Sequence, residues 1–298
     1  MTELEKTQIK AEFLEKLQSF AQTLEEYVST TDKEWTIKGF IDVFENIYTI
    51  SADTKIISKI LEIHLFSKFL EFANENNYEL VLAEKQNWYP DVSFVSKENL
   101  EIKFAVDLKT TFRLESNPAF CNGFTLGSHG EYFINRNSTK NIQFPYSQYL
   151  GHYCLGVLYS RKALTYLEEA KIYKRENLAE IPSVIGDFEF FACEKWRIAS
   201  DKRGSGNTAN IGSIIYIKDI LNYNGIFAKL GEQWFDEYWI NYGKIAVAGV
   251  TTKSGKPLYI TNLFDYLRFR GKDESWIAEN IIPKMTGATL KRIKEKAK

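Results

Sequence analysis

Residues 104–109 read Phe-Ala-Val-Asp-Leu-Lys. Alternate side chains of an extended strand share a face, so Asp107 and Lys109 point one way. The apolar residues at positions 104, 106 and 108 point the other way, into a core. Burying unpaired charge is costly in free energy. Two charged side chains on one face of so apolar a strand therefore require a stabilising partner.

A second acidic residue, Asp91, follows Pro90 just before another strand-like segment. Mg²⁺ prefers oxygen ligands and is typically held by one or two carboxylates together with waters and phosphate oxygens. Asp91 and Asp107 can supply those carboxylates, and the Leu108 carbonyl can supply a further oxygen. Lys109 would then orient or deprotonate the attacking water and counter the charge that develops on the phosphoryl group. The alternative is a salt bridge between Asp107 and Lys109 on a solvated edge strand, which is the commoner situation for an isolated Asp-x-Lys.

The overall composition predicts a globular protein with a substantial core. Of the 298 residues, 44% are hydrophobic and 26% are charged, and the net charge of −1 does not by itself predict nucleic-acid binding. Three scattered cysteines and three histidines argue against a disulfide framework and a zinc site. The charged first residues lack an apolar signal core, and no apolar run reaches transmembrane length. We therefore expect one compact cytoplasmic domain with no membrane partner.

Basic residues are concentrated in two segments. Residues 195–203 contain four lysines and arginines, among them Lys195, and residues 284–298 contain six against a single glutamate. Local basic patches on a neutral protein are compatible with a DNA-binding cleft. The more ordinary interpretation of the second segment is a solvated helix end.

The hydrophobic pattern predicts both helices and short strands. The predicted helices are an amphipathic one over residues 3–30, a buried one from Asp53 or Thr54 to about residue 74, a second buried one over 143–160, and several over 230–298. Strands are predicted over residues 35–50, 78–82, 92–95, 102–108, 188–192 and 196–199. Residues 204–213, which read Gly-Ser-Gly-Asn-Thr-Ala-Asn-Ile-Gly-Ser, are predicted to form a loop.

Glu62 is a charged residue in the helix that starts near Asp53, and that helix is apolar around much of its circumference. Lys55 lies two turns earlier on the same face. Two interpretations of Glu62 remain open: a carboxylate that faces the metal cleft, and an ordinary charge on the helix surface.

Taken in order, these motifs resemble the EcoRV family of type II restriction endonucleases, within the P-D…(D/E)-x-K nuclease superfamily. The resemblance runs from about Asp53 to Tyr242. Its blocks are Asp53-Thr54-Lys55, Gln86-Asn87-Trp88-Tyr89-Pro90-Asp91, Ala105-Val106-Asp107-Leu108-Lys109-Thr110-Thr111, Phe124-Thr125-Leu126-Gly127, Thr139-Lys140-Asn141-Ile142 and the 204–213 loop. The Asp-x-Lys motif is weak evidence alone, but its combination with that loop is highly specific.

The resemblance implies an α/β (α+β) fold, with a restriction-endonuclease-like mixed central sheet flanked by helices and a mostly helical C-terminal region. Asp91 and Asp107 would be the principal Mg²⁺ ligands, with Glu62 as an auxiliary acidic residue of the catalytic site that also binds metal. Lys109 would be the catalytic lysine and Lys55 a supporting charge. The implied DNA contacts are Thr111 and Lys140 at the backbone, Gln86 and Asn87 at the minor groove, and Gly204, Ser205, Gly206, Asn207, Thr208 and Asn210 at the major groove.

The residues of the 204–213 loop also suit base readout on chemical grounds. Asn pairs well with the N6 and N7 atoms of adenine, the Thr methyl suits the thymine methyl, and glycines let the backbone approach the bases. The alternative is a Gly/Asn-rich surface turn. The chain departs from the family pattern at Ala209, where a threonine is expected, at Trp88, where a histidine is expected, and in a longer segment between Gly127 and Lys140.

The activity that the resemblance implies is Mg²⁺-dependent hydrolysis of double-stranded DNA by a homodimer. The implied site is the palindrome GATATC, cut bluntly at the central TpA to leave 5′-phosphates, and the implied biological partner is a cognate DNA methyltransferase. A TA step is easily kinked, so DNA bending would contribute to specificity.

Within one restriction-endonuclease domain, residues 1–50 are expected to form an N-terminal helix and dimerisation segment. Residues 51–229 would form the catalytic and recognition core, and residues 230–298 a helical DNA-contacting subdomain with a basic tail. Two alternatives remain open. One is a structure-selective or repair endonuclease of the same superfamily, and the other is a catalytically inactive, sequence-specific DNA-binding protein.

Overall fold

The secondary structure confirms an α/β protein. The computed structural model describes residues 1–85, 87–163, 171–206, 209–251 and 254–281. The strands are β1 (Gly39–Ile41), β2 (Asn46–Thr49), β3 (Tyr78–Leu82), β4 (Val92–Ser96), β5 (Lys103–Leu114), β6 (Asn117–Cys121), β7 (Thr125–Ser128), β8 (Gly151–Arg161), β9 (Ile172–Lys174), β10 (Ile185–Glu194), β11 (Ala199–Arg203), β12 (Asn210–Ser213), β13 (Ala246–Thr251) and β14 (Pro257–Tyr259). The α-helices are α1 (Glu3–Val28), α2 (Thr54–Glu75), α3 (Glu131–Ile134), α4 (Ile217–Leu221), α5 (Glu232–Asn241), α6 (Leu263–Phe269) and α7 (Glu274–Asn280).

A mixed central sheet forms the middle of the molecule. Its strand order is β10-β8-β5-β4-β3, and β6 pairs with the far end of β5. Strands β5 and β8 run parallel, with Phe104 opposite Gly151 and Phe112 opposite Tyr159. The other neighbouring strands are antiparallel. This is the helix-flanked mixed sheet that the resemblance implied.

The two faces of the central sheet bury different sets of side chains. On one face, helices α1 and α2 pack against Phe104 and Val106 of β5, and the ring of Phe13 stacks on Phe104 with centroids 3.9 Å apart. On the other face, Ala105 belongs to a core that also contains Trp239 of α5. The alternation predicted for this strand is therefore confirmed at its apolar positions.

The helix predicted over residues 143–160 is wrong. This segment contains a short 3-10 turn, Tyr146–Gln148, followed by β8, whose first nine residues are all buried. A strand that is covered on both faces has a continuous apolar sequence, and periodicity cannot distinguish such a run from a buried helix.

Helix α2 begins where the sequence predicted, because the Asp53 carboxylate caps it by accepting a hydrogen bond from the Lys55 amide (2.9 Å). The prediction that α2 is buried rather than a surface helix is wrong for part of its circumference. One face, which includes Leu61, is buried, but Ile63 is 66% exposed and Phe66 is also at the surface. The apolar residues of α2 therefore lie on two faces of the helix, and only one of these faces packs against the sheet.

The strands observed after β10 differ from those predicted. Residues 195–198 form a 3-10 turn rather than a strand, and β11 begins only at Ala199. Residues 210–213, predicted as loop, form β12 in a three-stranded sheet with β11 and β7. The helical prediction for residues 230–298 is confirmed for α5, α6 and α7, but the β13–β14 hairpin interrupts them.

The basic segment 284–298 lies outside the described residues. In the ranges that the structure does describe, no helix is both long enough and apolar enough to cross a membrane.

Candidate active site and DNA interface

Asp91 and Asp107 are brought together by the pairing of β4 with β5. Asp91 immediately precedes Val92, the first residue of β4, and Val92 pairs with Val106. The Asp91 amide donates a hydrogen bond to Asp107 Oδ1 (3.2 Å), and the Leu108 amide donates one to Asp91 Oδ2 (2.8 Å). The register of the sheet therefore holds both carboxylates in place.

Lys109 completes this group. Its Nζ lies 3.2 Å from Asp91 Oδ2 and 3.2 Å from Asp107 Oδ2. Burial lowers the pKa of the Lys109 ammonium, but the attraction of Asp107 and Asp91 outweighs that effect and raises the pKa above its ordinary value. The arrangement therefore favours a protonated Lys109 that donates hydrogen bonds over one that removes a proton from water.

The two carboxylates share a crowded electrostatic environment. Asp107 is only 4% exposed. Desolvation by burial raises the pKa of Asp91; Lys109 opposes this, Asp107 adds to it, and the net shift is upward. Because two adjacent carboxylates disfavour each other's charge, a hard divalent cation would relieve the repulsion. The donor set of Asp91 and Asp107 fits Mg²⁺, which is typically held by one or two protein carboxylates together with waters and phosphate oxygens.

Glu62 is not part of this hydrogen-bonded group. It lies on α2, about half exposed, and pairs with Lys59 at 2.7 Å. Within the described ranges, no three His, Cys, Asp or Glu side chains form a cluster that could hold a metal ion. The charge of Glu62 raises the pKa of Asp91 less than burial does. An auxiliary metal-binding role for Glu62, with the exposed Lys55 as its supporting charge, stays a prediction.

The predicted DNA-backbone and minor-groove contacts differ in their exposure. Asn87 and Lys140 are exposed. Thr111, in contrast, is buried, and its hydroxyl donates a hydrogen bond to the Asn122 carbonyl. Thr111 thus links β5 to the segment after β6. Three of the predicted contacts lie outside the described residues, namely Gln86, Asn207 and Thr208.

The 204–213 loop is held at both of its ends. The Gly204 amide donates to the Asn210 carbonyl (2.9 Å), and the Asn210 side-chain amide donates to the Ser205 carbonyl (3.2 Å). The Ala209 carbonyl accepts a hydrogen bond from the His129 amide (2.7 Å). The two residues after Gly204 are exposed. The ends of the loop are therefore fixed to β12 and to the segment after β7.

Tyr89, His152 and Lys195 form a buried polar cluster that the sequence did not predict. Tyr89 Oη lies 2.9 Å from His152 Nδ1, and Lys195 Nζ lies 3.4 Å from Tyr89 Oη. Lys195 is 2% exposed, so counting it in a basic surface patch was wrong. The one available signal was its position between the apolar run of β10 and Trp196, which is typical of a buried segment.

Comparisons with known proteins agree with this geometry. The family model described as restriction endonuclease EcoRV matches residues 31–271. The type II restriction enzyme EcoRV of Escherichia coli is 37% identical over 214 residues, which cover 71% of this chain and 84% of that enzyme. The chain belongs to the EcoRV restriction endonuclease family.

As a member of the EcoRV family, the chain is a type II restriction endonuclease, a hydrolase that cleaves DNA. The matched region contains the group of Asp91, Asp107 and Lys109 together with the 204–213 loop. Helix α1 precedes the matched region, yet Phe13 and Leu17 of this helix are fully buried against the central sheet. The segment before the EcoRV-family match is therefore part of the folded core of this chain.

Proposed function

We propose that the chain is a homodimeric, Mg²⁺-dependent endonuclease that cuts the palindrome GATATC bluntly at its central TpA. The observation that carries the proposal is the contact group of Asp91, Asp107 and Lys109, whose polar atoms are joined by three contacts of 3.2 Å. The likeness of the 204–213 loop to the recognition loop of the EcoRV family supports the choice of GATATC.

Asp91 and Asp107 would hold Mg²⁺ with the scissile phosphate. When bound, Mg²⁺ would activate the attacking water and offset the negative charge on the leaving oxygen. The protonated Lys109 would donate hydrogen bonds to the water and the phosphate, and would stabilise the charge that develops during attack. Cleavage of the bond between phosphorus and O3′ leaves a 5′-phosphate and a 3′-hydroxyl.

Digestion of a sequenced plasmid with purified protein and Mg²⁺, followed by mapping of the ends, tests this proposal. We expect discrete blunt ends at GATATC. Specific binding without cleavage would favour the inactive DNA-binding protein instead. Cuts that depend on lesions or junctions rather than on sequence would favour the structure-selective or repair endonuclease.

Asn207 is proposed to read one base edge in the major groove. Asn207→Ala should therefore cost about 1–3 kcal/mol of discrimination at one base position. The measurement compares cleavage rates on the cognate duplex with rates on duplexes altered at one base pair. Asn222→Ala, just after α4, is the matched control and should keep the original discrimination. An unchanged site preference in Asn207→Ala would remove this residue from base readout.

The hairpin of β1 and β2 is proposed to form the dimer contact within residues 1–50. Its tip carries Val43, which is 91% exposed, and Phe44, which is 77% exposed, and Phe40 and Ile41 beside them are also at the surface. Contiguous exposed apolar patches of this kind mark interaction sites. Because α1 uses its apolar face within its own chain, the hairpin is the better candidate in this segment. A two-fold dimer would match the symmetry of a palindrome.

Replacing Val43 and Phe44 together by glutamate should convert the dimer to a monomer, because charges would then be buried in an apolar contact. Light scattering during size-exclusion chromatography measures the mass directly. Leu100→Glu, at an exposed apolar residue in the turn between β4 and β5, is the control and should keep the dimeric mass. A dimer that persists in the double variant would place the contact elsewhere.

Residues 51–229 would form the catalytic and recognition core, and residues 230–298 would contact flanking DNA. The proposed enzyme would act in the cytoplasm beside a methyltransferase that protects GATATC in the host DNA.

A further inference from the structure

Lys195 is a buried lysine at the point where β10 ends and the turn to β11 begins. Its neighbours Glu194 and Arg197 pair with each other at 2.9 Å. Across the described segments of the chain, no carboxylate lies within salt-bridge distance of Lys195 Nζ. Desolvation lowers the pKa of Lys195 to about 8, although Asp107 opposes that shift. Burial of this ammonium is therefore costly unless other groups offset it.

Aromatic rings surround the ammonium of Lys195. Its Nζ lies 4.7 Å from the ring centroid of Tyr89, 4.8 Å from that of Tyr146 and 5.6 Å from that of Phe133. Nζ also lies 3.4 Å from Tyr89 Oη, which in turn lies 2.9 Å from His152 Nδ1. Ring faces attract cations, and desolvation strengthens that attraction. The position and orientation of Tyr89 are therefore tied to the charge of Lys195.

Tyr89 connects the catalytic group to one end of the 204–213 loop. Only a proline separates Tyr89 from Asp91. The Tyr89 ring stacks on Tyr132 with centroids 5.3 Å apart, and the Tyr132 hydroxyl accepts a hydrogen bond from the Ser128 amide (2.9 Å). The Ser128 hydroxyl donates to the Ala209 carbonyl near the end of the loop (3.2 Å).

Lys195 connects Tyr89 to the other end of the same loop. The turn 195–198 runs directly into β11, which ends at Arg203, next to Gly204. The Gly225 amide donates to the Arg197 carbonyl (2.7 Å) and ties this turn to the segment after α4. Both ends of the loop therefore reach Tyr89, one through Tyr132 and the other through Lys195.

We propose that Lys195 is a positioning residue that fixes Tyr89, and through it Asp91, relative to both ends of the recognition loop. Contacts between the loop and the correct bases would then set the position of a catalytic carboxylate. This inference rests on the proposed function, because it assumes that the loop reads DNA and that Asp91 serves catalysis. It assigns Lys195 to the coupling of recognition with cleavage, and not to contact with DNA.

Two variants test this coupling in the full-length protein. Lys195→Met keeps a side chain of similar length without the charge, and Tyr89→Phe keeps the ring without the hydroxyl. We expect the single-turnover cleavage rate of Lys195→Met to fall by about tenfold or more, because small misplacements of catalytic groups are costly. Tyr89→Phe should lower the single-turnover cleavage rate by a smaller factor. Affinity for the cognate duplex without divalent metal should stay within about twofold, because the change affects the reaction step rather than binding.

The decisive readout is the ratio of the cleavage rate at the cognate site to the rate at a site altered in one base pair. We expect this ratio to fall in both variants, because contacts between the loop and the bases no longer set the position of Asp91. A merely destabilised fold would lower the cognate and the altered-site rates by the same factor. Lys218→Met on α4 is the control and should keep the wild-type ratio.

Three outcomes would overturn the inference. The first is an unchanged ratio in both variants, whether or not the cleavage rate falls. The second is a loss of rate that equals the unfolded fraction measured by near-UV circular dichroism. The third is a wild-type protein that cuts no DNA, which refutes the proposed function before the variants are compared. If Lys195→Met does not fold, the ratio measured for Tyr89→Phe decides between the first outcome and the expected one.

Discussion

Lys109→Ala should lower the single-turnover cleavage rate by about 10²–10⁴-fold, the range found when a catalytic hydrogen-bond donor or proton-transfer group is removed. The Lys109 ammonium contacts both Asp91 and Asp107 at 3.2 Å, so its loss removes the positive charge shared by the two carboxylates. Specific DNA binding should largely remain, because the proposed base contacts lie in the 204–213 loop. Rapid-quench measurement with enzyme in excess separates the cleavage step from binding.

Lys103→Ala provides a matched control for Lys109→Ala. Lys103 is the first residue of the same strand, β5, and its Nζ donates to the Leu100 carbonyl, away from the carboxylates. Its replacement should leave the cleavage rate unchanged. If Lys109→Ala turns over DNA at the wild-type rate, Lys109 has no part in the reaction step.

The contact group of Asp91, Asp107 and Lys109 was largely predictable from sequence, because local geometry determines most of it. Alternation along β5 places Asp107 and Lys109 on one face without reference to any distant residue. The position of Asp91 depends on strand pairing as well, because only the antiparallel register of β4 with β5 brings it beside Asp107. The sequence placed both carboxylates at one metal on chemical grounds, but it predicted no register for the two strands. Glu62 shows the limit of such reasoning, because its helix was predicted correctly but its salt bridge with Lys59 was not.

Two of the wrong predictions, for β8 and for Lys195, share a physical cause, which is burial by residues distant in sequence. Strand β8 was predicted as a helix because its side chains are covered on both faces, and that coverage removes the alternation that identifies a strand. Lys195 was assigned to a surface patch because lysine is rarely buried. Its burial depends on rings from Tyr89, Phe133 and Tyr146, which only the folded chain brings together.

Asp107→Asn should abolish both cleavage and the stabilisation of the folded protein by Mg²⁺. A cation that binds only the folded state raises the free energy of unfolding by about 2.7 kcal/mol at a concentration one hundred times its dissociation constant. Asp107 is almost fully buried beside Asp91, and a neutral amide at this position leaves a single carboxylate for the cation. Chemical unfolding of both proteins, with and without Mg²⁺ and in the absence of DNA, measures the difference.

The comparison of Asp107→Asn with Asp32→Asn separates a specific metal site from general charge effects. Asp32 is an exposed carboxylate in the turn after α1, so its replacement removes the same charge outside the contact group of Asp91, Asp107 and Lys109. Asp32→Asn should be stabilised by Mg²⁺ as much as the wild type, because bulk screening acts equally on both variants. Stabilisation by Mg²⁺ that persists in Asp107→Asn would mean that the cation binds elsewhere. If Mg²⁺ does not stabilise the wild-type protein, the two carboxylates bind the cation only together with the phosphate of the DNA. The same Mg²⁺ titration with a bound cognate duplex would then show the stabilisation.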